Sequence, residues 1–521
     1  MPTAYRNIVP IIDRRTGTSL SAEPIDGHRV HGTTTYMIKN GADKRDVDAV
    51  VVGSGPNGLA AAIALQRAGL SVVVFEAKPT IGGGMRTAGL TLPDFRHDIG
   101  SAIHPLGAGS PFLNTLPLHE HGLDYIYPPV AAAHPFDDGT AALLYESISA
   151  TAQTLGPDAE AYARLMPGFV ADWPIIADTF LGPLRPTLNL LRLAKFGAYG
   201  LLPAQAFANW QFSGEQARGL FAGMAAHSLL PLDWPGTSAI GLVLTILGHA
   251  KGWPLPRGGS QQIANALGSY FTSIGGRIQT NTEITSLAQL PSARAVLFDV
   301  TPRQLLKIAG HRFSALYRWQ LERYRYGAGV FKVDYALDGP IPFTAPGCEQ
   351  AGTVHLGNTM EEIAVGEKAI NRGQHPDRPF VLLAQQSLFD DTRAPAGKHT
   401  AWAYCHVPNG SAKDMTAAIE GQIERFAPGF RDRILAKHVM NTADLETFSA
   451  NYVGGDINGG RQDLSQIFTR PALRWSPYKT SAKGLYICSS STPPGGGVHG
   501  MCGYHAAQQA LRDVFSDRVN R

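Results

Sequence analysis

A glycine pattern near the start of the chain has the residue types and spacing of a dinucleotide-binding turn. Gly53, Gly55 and Gly58 form GxGxxG within VVGSGPNGLAAAIALQRAG, and Glu76 follows the next apolar stretch. In such a turn the first glycine permits the tight bend, the second lets a pyrophosphate approach the backbone, and the third lets the helix pack on the strand. The N–H groups at the start of the following helix attract phosphate, and a carboxylate at the position of Glu76 accepts hydrogen bonds from ribose hydroxyls. This context favours a dinucleotide site over an ordinary glycine-rich turn.

A second glycine cluster follows directly, in PTIGGGMRTAG (residues 79–89). Its Arg86 is suited to a charge-assisted hydrogen bond with a phosphate group. A nicotinamide cofactor has no obvious use for this cluster, whereas the long pyrophosphate and ribityl chain of FAD does. The two clusters together favour FAD as the cofactor.

A third glycine-rich stretch precedes a predicted helix in PPGGGVHGMCGYHAAQQAL (residues 493–511). Consecutive glycines before a helix lose much backbone entropy on folding, so we expect a ligand to approach this backbone more closely than a Cβ would allow. The N-terminus of the helix would stabilise negative charge on a reduced flavin ring. The flavin supplies the hydride chemistry, and the protein positions the substrate and excludes water.

Three side chains are candidates for acid–base or orienting roles: His499, His104 and Tyr504. Histidine titrates near neutral pH, so either histidine is suited to moving a proton. The alternative for all three is that they only hydrogen-bond to backbone or line a pocket. Asp98, close to His104, is interpreted as a turn cap.

The elements that must position these residues follow from the apolar pattern. Val47 to Val52 and Ser71 to Phe75 read as buried strands around a helix at 57–69. Two later segments, 275–287 and 293–305, are predicted to add short strands to the same dinucleotide-binding domain. Residues 306–445 alternate aromatic and β-branched runs, which predicts an antiparallel sheet in a substrate domain.

The stretch between these regions is predicted to be largely helical. Residues 150–235 are rich in proline and lack alternating strands, and residues 237–248 form a short apolar helix. The segment 187–202 is predicted to be a core helix of the substrate domain. The alternative is an amphipathic patch that contacts a membrane surface.

Composition excludes several classes of protein. The chain has 521 residues, 44% of them hydrophobic, and a formal net charge of +3 without a Lys/Arg-rich run, so nucleic-acid binding has no support. Its four cysteines form no CxxC pair, which argues against a disulfide framework, a dithiol redox pair or a metal site and fits a reducing compartment. Residues 1–46 lack a signal-peptide core and are interpreted as a partly disordered N-terminal extension. No apolar run is long enough to cross a bilayer, which leads us to expect a cytoplasmic protein.

Taken together, these segments resemble the phytoene desaturase-like family of FAD-dependent oxidoreductases, which contains desaturases, isomerases and members of undefined activity. The resemblance rests on VVVGSGPNGLAAAIALQRAG, GGGMRTAGLTLPDFRHDIGSAIHPL, GWPLPRGGSQQIANALGSYFTSIGGRI and GLYICSSSTPPGGGVHGMCGYHAA, which span residues 47–507.

The resemblance extends the predicted cofactor site. It implies that the first glycine turn and Glu76 bind the ADP half, that the second cluster makes another FAD contact, that the backbone at Ile284 meets the adenine, and that the C-terminal segment lies along the ribityl chain and flavin ring. The full predicted set is Gly53, Gly55, Pro56, Asn57, Gly58, Glu76, Ala77, Lys78, Gly83, Gly84, Met85, Arg86, Ile284, Gly496, Gly497, Val498, Gly500 and Met501.

The chain also departs from the family pattern. Residues 489–492 are Ser-Ser-Ser-Thr where relatives often carry Gly-Ala-Gly-Thr, and His499-Gly500 stands where carotenoid desaturases often carry Pro-Gly. A histidine beside the predicted flavin weakens a direct transfer of carotenoid chemistry. Disulfide chemistry is rejected because it needs paired cysteines.

The sequence therefore predicts an α/β fold: a Rossmann-type FAD-binding domain, glutathione-reductase-like or amine-oxidase-like, with an interleaved α+β substrate domain. The predicted segments are an extension at 1–46, FAD-binding segments at 47–110, 236–305 and 446–521, and substrate-domain segments at 111–235 (helical part) and 306–445 (sheet part).

The expected function is hydride abstraction from an apolar, isoprenoid- or polyene-like molecule, with oxygen or a quinone as acceptor and contact with a membrane surface as an option. The alternatives are a flavin-dependent double-bond isomerase without net redox change, a flavoprotein that acts only as an interaction module, and a plain NAD dehydrogenase. The sequence does not predict an oligomeric state.

Overall fold

A computed structural model describes residues 47–183, 189–467 and 469–516. The predicted extension at 1–46 and the first residues of the predicted helix at 187–202 lie outside these ranges, as do residues 517–521.

Strands within the described residues form two principal sheets and two small two-stranded pairs. The strands are β1 (Ala49–Val52), β2 (Val72–Phe75), β3 (Thr87–Ala88), β4 (His97–Asp98), β5 (Tyr125–Ile126), β6 (Val130–Pro135), β7 (Ala141–Leu144), β8 (Leu255–Pro256), β9 (Arg277–Gln279), β10 (Ala295–Phe298), β11 (Gly329–Leu337), β12 (Ala351–Leu356), β13 (Val381–Ala384), β14 (His399–Val407), β15 (Ile434–Met440) and β16 (Leu485–Ile487).

Helices occupy most of the connections between these strands. They are α1 (Pro56–Arg67), α2 (Pro105–Ala108), α3 (Ile148–Gln153), α4 (Ala159–Ala171), α5 (Trp173–Phe180), α6 (Leu190–Gly200), α7 (Ala204–Gln211), α8 (Glu215–Ala226), α9 (Thr237–Ala250), α10 (Gln261–Ser273), α11 (Pro302–Ala309), α12 (Ala315–Glu322), α13 (Met360–Asn371), α14 (Thr416–Phe426), α15 (Thr442–Phe448), α16 (Leu464–Ile467) and α17 (Met501–Val514).

The first principal sheet is parallel, in the order β16-β10-β1-β2-β9. Its central strands read AVVV, VVVF and AVLF and are buried on both faces, as expected for a parallel sheet covered by helices on each side. Val51 packs in a core that includes residues of α1, whereas Val50 packs in a core with Leu305 of α11. The predicted Rossmann-type sheet is confirmed, and the strands that build it come from distant parts of the chain.

The second principal sheet has the order β15-β11-β14-β13-β12-β6-β7 and is antiparallel except for the β12–β6 pair. It confirms the interleaved α+β architecture. Strands β6 and β7 belong to this sheet although they fall within 111–235, the range predicted as the helical part. Residues Lys332, Tyr404, Leu382 and His355 are paired across β11, β14, β13 and β12, so their side chains share one face of the sheet.

Helix α6 differs from the predicted core helix. Leu191 is 92% exposed, and most neighbouring residues in the helix are exposed or half-buried. Leu193, Phe196 and Tyr199 pack against the core from one side. The hydrophobic content of this segment therefore reflects a surface helix with one packed face. Among the described helices, none combines the length and apolar character needed to span a bilayer.

Candidate active site

The two N-terminal glycine clusters meet in space. Gly53 has a φ of +100°, which a glycine adopts without strain, and α1 begins just beyond it with Pro56 at its first position. A Cβ on Gly58 would lie 2.1 Å from the carbonyl oxygen of Gly53, and a Cβ on Gly83 would lie 3.0 Å from the Cα of Gly55. The strand, turn and helix thus require glycine at these positions, and the second cluster packs directly over the first.

Asp299 contacts this turn from a neighbouring strand, and the sequence reasoning missed it. It follows β10, the strand beside β1, and its Oδ2 accepts a hydrogen bond of 2.9 Å from the backbone N–H of Gly58. Burial, together with the nearby Glu76 carboxylate, raises the pKa of the Asp299 carboxyl to about 7. The available signal was an acid directly after a buried parallel strand, because the carboxyl ends of parallel strands face the ligand crevice.

Glu76 lies at the end of β2, as predicted, and is mostly buried. Its carboxylate accepts hydrogen bonds from the backbone N–H of Ser54 at 3.0 Å, from the Ser54 hydroxyl at 2.6 Å and from the backbone N–H of Lys78 at 2.9 Å. The carboxylate is therefore held in one orientation beside the glycine turn. Ala77 and Lys78 continue this turn, and Ile284 is a buried residue beyond the end of β9.

Arg86 closes the second glycine cluster. Gly83, Gly84 and Met85 form one turn of 3-10 helix. Arg86 follows it and donates from Nε to the Gly83 carbonyl at 2.9 Å and from a terminal nitrogen to the Phe448 carbonyl at 2.8 Å. Its guanidinium also lies 4.0 Å from the centre of the Phe448 ring. Arg86 thus connects the first domain segment to α15.

The C-terminal glycine stretch serves both packing and the cavity. Gly497 and Val498 line the cavity described below, whereas a Cβ on Gly496 would lie 2.5 Å from the side-chain oxygen of Asn458. Gly500 has a φ of +70° and directly precedes α17, whose first residue is the buried Met501. A Cβ on Gly503 would lie 1.7 Å from the Asn57 carbonyl oxygen, so α17 packs against α1 at backbone distance.

The three predicted acid–base candidates occupy different environments. His104 is buried, lines the cavity and pairs through Nε2 with the Ser260 hydroxyl at 2.9 Å. His499 is fully buried outside the cavity lining, and its Nδ1 accepts the backbone N–H of Met501 at 3.0 Å. Burial lowers the pKa of both histidines to about 4. Tyr504 is half-buried and stacks on Phe112 with ring centroids 4.7 Å apart. Their catalytic roles stay predictions.

Asp98 holds the loop that carries His104. Its carboxylate accepts the backbone N–H of Ser260 at 2.8 Å and the Thr87 hydroxyl at 2.7 Å, and it forms an ion pair of 2.9 Å with Arg393. Arg393 and the other hydrogen bonds lower the pKa of Asp98 even though burial opposes this. The predicted turn cap is thus part of a buried network that reaches His104 through Ser260.

A cavity of about 280 Å³ extends from the glycine turns to the second sheet. Gly55, Gly83 and Asp299 lie at one side, and residues of β11, β13 and β14 form another wall. The lining residues include Leu106, His227, Leu244, Trp253, Lys332, Leu382 and Trp402. Leu106 and Trp253 belong to segments on which the family resemblance rests, whereas no sequence pattern indicated the residues from β11, β13 and β14.

Lys332 is the buried cation of this wall. It pairs with Asp334 two residues along β11, and both side chains are almost fully buried. Desolvation lowers the pKa of Lys332 and raises that of Asp334 to about 6. Its ammonium group also lies 5.7 Å from the ring centre of Trp402. The pair places charge beside a largely apolar cavity.

The described residues offer neither a metal-binding cluster nor a reactive thiol. Within the described ranges, no cluster of three or more His, Cys, Asp or Glu side chains is arranged to hold a metal ion. All four cysteines are buried and free, and burial raises the pKa values of their thiols, which disfavours the reactive thiolate.

Comparison with known proteins shows where this architecture recurs. A family model described as "NAD(P)-binding Rossmann-like domain" matches residues 51–115. The chain is 28% identical to mouse pyridine nucleotide-disulfide oxidoreductase domain-containing protein 2, with 91% of this chain and 95% of the relative covered. It is 23% identical to a polypeptide of the limonene dehydrogenase of Castellaniella defragrans, covering 91% and 96%. It is 24% identical to a lycopene-forming phytoene desaturase of Pseudescherichia vulneris, covering 89% and 98%.

Over most of its length the chain is similar to pyridine nucleotide-disulfide oxidoreductase domain-containing protein 2 and to phytoene desaturases. Among solved structures, an oxidoreductase from Methanosarcina mazei shares the fold, with a TM-score of 0.61, 18% identity and coverage of 89% of this chain and 100% of that one. The family resemblance drawn from the sequence is therefore confirmed over nearly the whole described chain.

Proposed function

We propose that this protein is an FAD-dependent oxidoreductase that abstracts hydride from an apolar, isoprenoid- or polyene-like substrate. The observation that carries the proposal is the continuous cavity. It joins the glycine turns at Gly55 and Gly83 to a wall of large apolar side chains, which include Trp253 and Trp402. A cofactor bound at the turns would therefore share one enclosure with an apolar substrate.

The residues at the turns fit a long dinucleotide. Gly58, Gly83 and Gly84 leave no space for a Cβ, the N-terminus of α1 faces the cavity through Pro56 and Asn57, and Glu76 is held beside the turn. These features would hold the pyrophosphate and ribose of FAD. The bound flavin would supply hydride-accepting chemistry. The chain's own residues orient the substrate and exclude water.

The apolar substrate class rests on the lining and on relatives. Leu244, Leu382 and Trp253 present hydrocarbon or aromatic surface to the cavity, and burial of such surface favours an apolar ligand. Two relatives carry names that refer to limonene and phytoene as substrates. We propose that oxygen or a quinone is the electron acceptor. We also propose that the protein is cytoplasmic.

The first experiment asks whether flavin is bound. Purified protein should absorb at about 370 and about 450 nm, the bands of oxidised flavin. Gly58→Ala should lack these bands, whereas Gly168→Ala should retain them, because a Cβ on Gly168 meets no atom within 4 Å. Colourless protein that takes up NAD instead would contradict the proposal.

The second experiment separates oxidation from isomerisation. The flavin-loaded protein is incubated anaerobically with limonene or with a carotenoid precursor, and flavin absorbance is followed together with product. Bleaching that matches product formation supports hydride abstraction. Product without bleaching and without an acceptor would establish the isomerase alternative. Full flavin occupancy without photoreduction or reoxidation would favour an interaction module.

A further inference from the structure

Three histidines, one half-buried and two fully buried, extend from the cavity towards the surface. His227 follows the last residue of α8 and lines the cavity, His355 lies in β12, and His134 lies in β6 beside β12. His355 and His134 are fully buried. The sequence reasoning assigned them no role, and they lie outside the cofactor site.

One hydrogen bond lies at each end of this series. His227 Nε2 and His355 Nε2 are 3.1 Å apart. At the other end His134 Nε2 lies 2.6 Å from the Asn358 carbonyl oxygen. A carbonyl only accepts, so Nε2 of His134 carries the proton and its Nδ1 is an acceptor.

The middle of the series lies against a glycine. His355 Nδ1 and His134 Nδ1 have no hydrogen-bond partner in the structure although both are buried. They face the same point: a Cβ on Gly223 would lie 2.7 Å from the first and 3.2 Å from the second. Proton transfer between these two nitrogens would require a small ring movement or one bridging water.

Helix α8 is shaped to admit these rings. Gly219, Gly223 and His227 are spaced by four residues and so share one face of the helix. A Cβ on Gly219 would lie 3.0 Å from His134 Nε2. Two glycines one turn apart weaken a helix, and here they are the positions at which the imidazoles approach the helix backbone.

The series ends at a polar surface. Asn358 is half-buried, and its side-chain oxygen accepts the backbone N–H of the exposed Asp137 at 3.2 Å. Asp137 and Glu362 both pair with Arg425. The exposed surface therefore begins at Asn358, the residue whose carbonyl accepts the hydrogen bond of His134.

We propose that His227, His355 and His134 form a proton relay between the cavity and the surface at Asn358. The proposal rests on the proposed function, because removing two hydrogens from adjacent carbons as a hydride and a proton leaves the proton inside a largely apolar enclosure. The relay gives that proton an exit and, in the reverse direction, supplies protons when the flavin is reduced.

One proton crosses the relay in four transfers. The C–H bond electrons on the second substrate carbon become the new double bond, and His227 takes the proton on Nδ1. His227 then gives its Nε2 proton to His355 Nε2, and His355 gives its Nδ1 proton to His134 Nδ1. His134 must then turn its Nε2–H away from the Asn358 carbonyl to release that proton to water at the surface. Each ring is neutral again but carries its proton on the other nitrogen, and the inward transfer of one proton along the same path restores the starting tautomers. Burial keeps all three rings neutral before transfer, since it lowers their pKa values.

The hydrogen-bond arrangement is tested without substrate. Histidine-labelled protein is studied by 15N NMR, which reports the tautomer of each ring, and by the N–N coupling across the hydrogen bond. We expect Nε2–H on His227, Nδ1–H on His355 and Nε2–H on His134, with coupling between His227 and His355. An Nε2 proton on His355, or a charged ring at pH 7, would overturn the relay whether or not the protein binds FAD.

The transfer itself is tested on the flavin-loaded protein by a reducing flash of light. Proton uptake is followed with a pH-indicator dye in the wild type, His355→Gln, His227→Ala and the control His249→Gln. His249 is a buried histidine that pairs with Tyr162 away from the relay. Loss of a proton-transfer group typically costs on the order of 10²-fold, so uptake should slow at least about tenfold in both relay variants and stay unchanged in the control.

Added imidazole provides the decisive comparison. It should restore uptake in His227→Ala, where the removed ring lined the cavity, and not in the fully enclosed His355→Gln. Unchanged uptake in both relay variants would overturn the proposal while leaving flavin binding intact. Absence of flavin from the wild type would instead overturn the proposed function, and the NMR result would still decide the hydrogen-bond arrangement.

Discussion

The carboxylate of Asp299 accepts a hydrogen bond from the backbone N–H of Gly58, at the N-terminus of the helix that is expected to face the cofactor phosphates. An acid thus occupies a position where an anionic ligand is expected. Burial raises the pKa of this acid to about 7, so its neutral form predominates below neutral pH.

Asp299→Asn should change the pH dependence of stability. The folded protein holds the Asp299 proton up to about pH 7, whereas the unfolded chain releases it near its ordinary value. The contribution of Asp299 to the free energy of unfolding of the wild type therefore decreases as the pH rises from about 4 to about 7. Above pH 7 this contribution no longer changes. The difference in free energy of unfolding between the variant and the wild type should therefore shift by about 1–3 kcal/mol in favour of the variant from pH 5 to pH 8. Urea unfolding at fixed cofactor content measures this difference. An equal difference at both pH values would contradict the assigned ionisation.

Gly58→Ala should destabilise the fold as well as remove flavin. Its Cβ would lie 2.1 Å from the Gly53 carbonyl, a contact that only a backbone shift relieves, and such overpacking typically costs about 1–3 kcal/mol. Thermal unfolding checks the loss. Gly168→Ala in α4 is the matched control, because the new methyl group enters open space and alanine favours a helix by up to about 1 kcal/mol. Equal stability of the two variants would refute the close-packing argument.

Lys332→Met should be strongly destabilising because it leaves Asp334 buried without its counter-charge. Breaking a buried pair in this way costs about 3–5 kcal/mol. The double variant Lys332→Met/Asp334→Asn should recover much of that loss. A double-mutant cycle by chemical denaturation measures the coupling, and additive single effects would show that the two charges do not depend on each other.

Two substitutions distinguish a helix-capping role of His499 from a catalytic role. Its Nδ1 accepts the N–H of Met501 at the start of α17, so His499→Ala should cost about 1 kcal/mol, as for other helix caps. His499→Asn keeps an acceptor and should retain most of this stability. Flavin reduction with substrate is measured in both variants. A stable His499→Asn protein that has lost reduction would instead support the catalytic role predicted from the sequence.

The parts of the site that sequence reasoning found are local in the chain. Gly53 to Gly58 and Glu76 lie within one strand–turn–helix–strand unit, so their spacing alone carries the geometry. Lys332 and Asp334 were missed for a physical reason. They alternate with Phe331 and Val333, a period of two that normally marks a solvent-facing side of a strand. Here that polar side faces the cavity and is buried, which only the tertiary arrangement decides.

Helix α6 illustrates the opposite error. Its leucines and aromatic residues suggested a core position, but hydrophobic content does not distinguish a buried helix from a surface helix with one packed face. Asp299 and His227 could not be predicted for another reason. Each forms its hydrogen bond at the cavity with a residue far away in the chain. Single-sequence patterns contain no record of such pairings.

The packing of α17 on α1 has a consequence for biosynthesis. Gly503 approaches the Asn57 carbonyl at backbone distance, so one wall of the dinucleotide turn is supplied by residues translated long after the turn itself. Domains generally begin to fold from the N-terminus as the chain emerges, but this turn must wait, incompletely enclosed, until α17 has left the ribosome. We therefore expect the turn to bind its cofactor only after α17 has been translated.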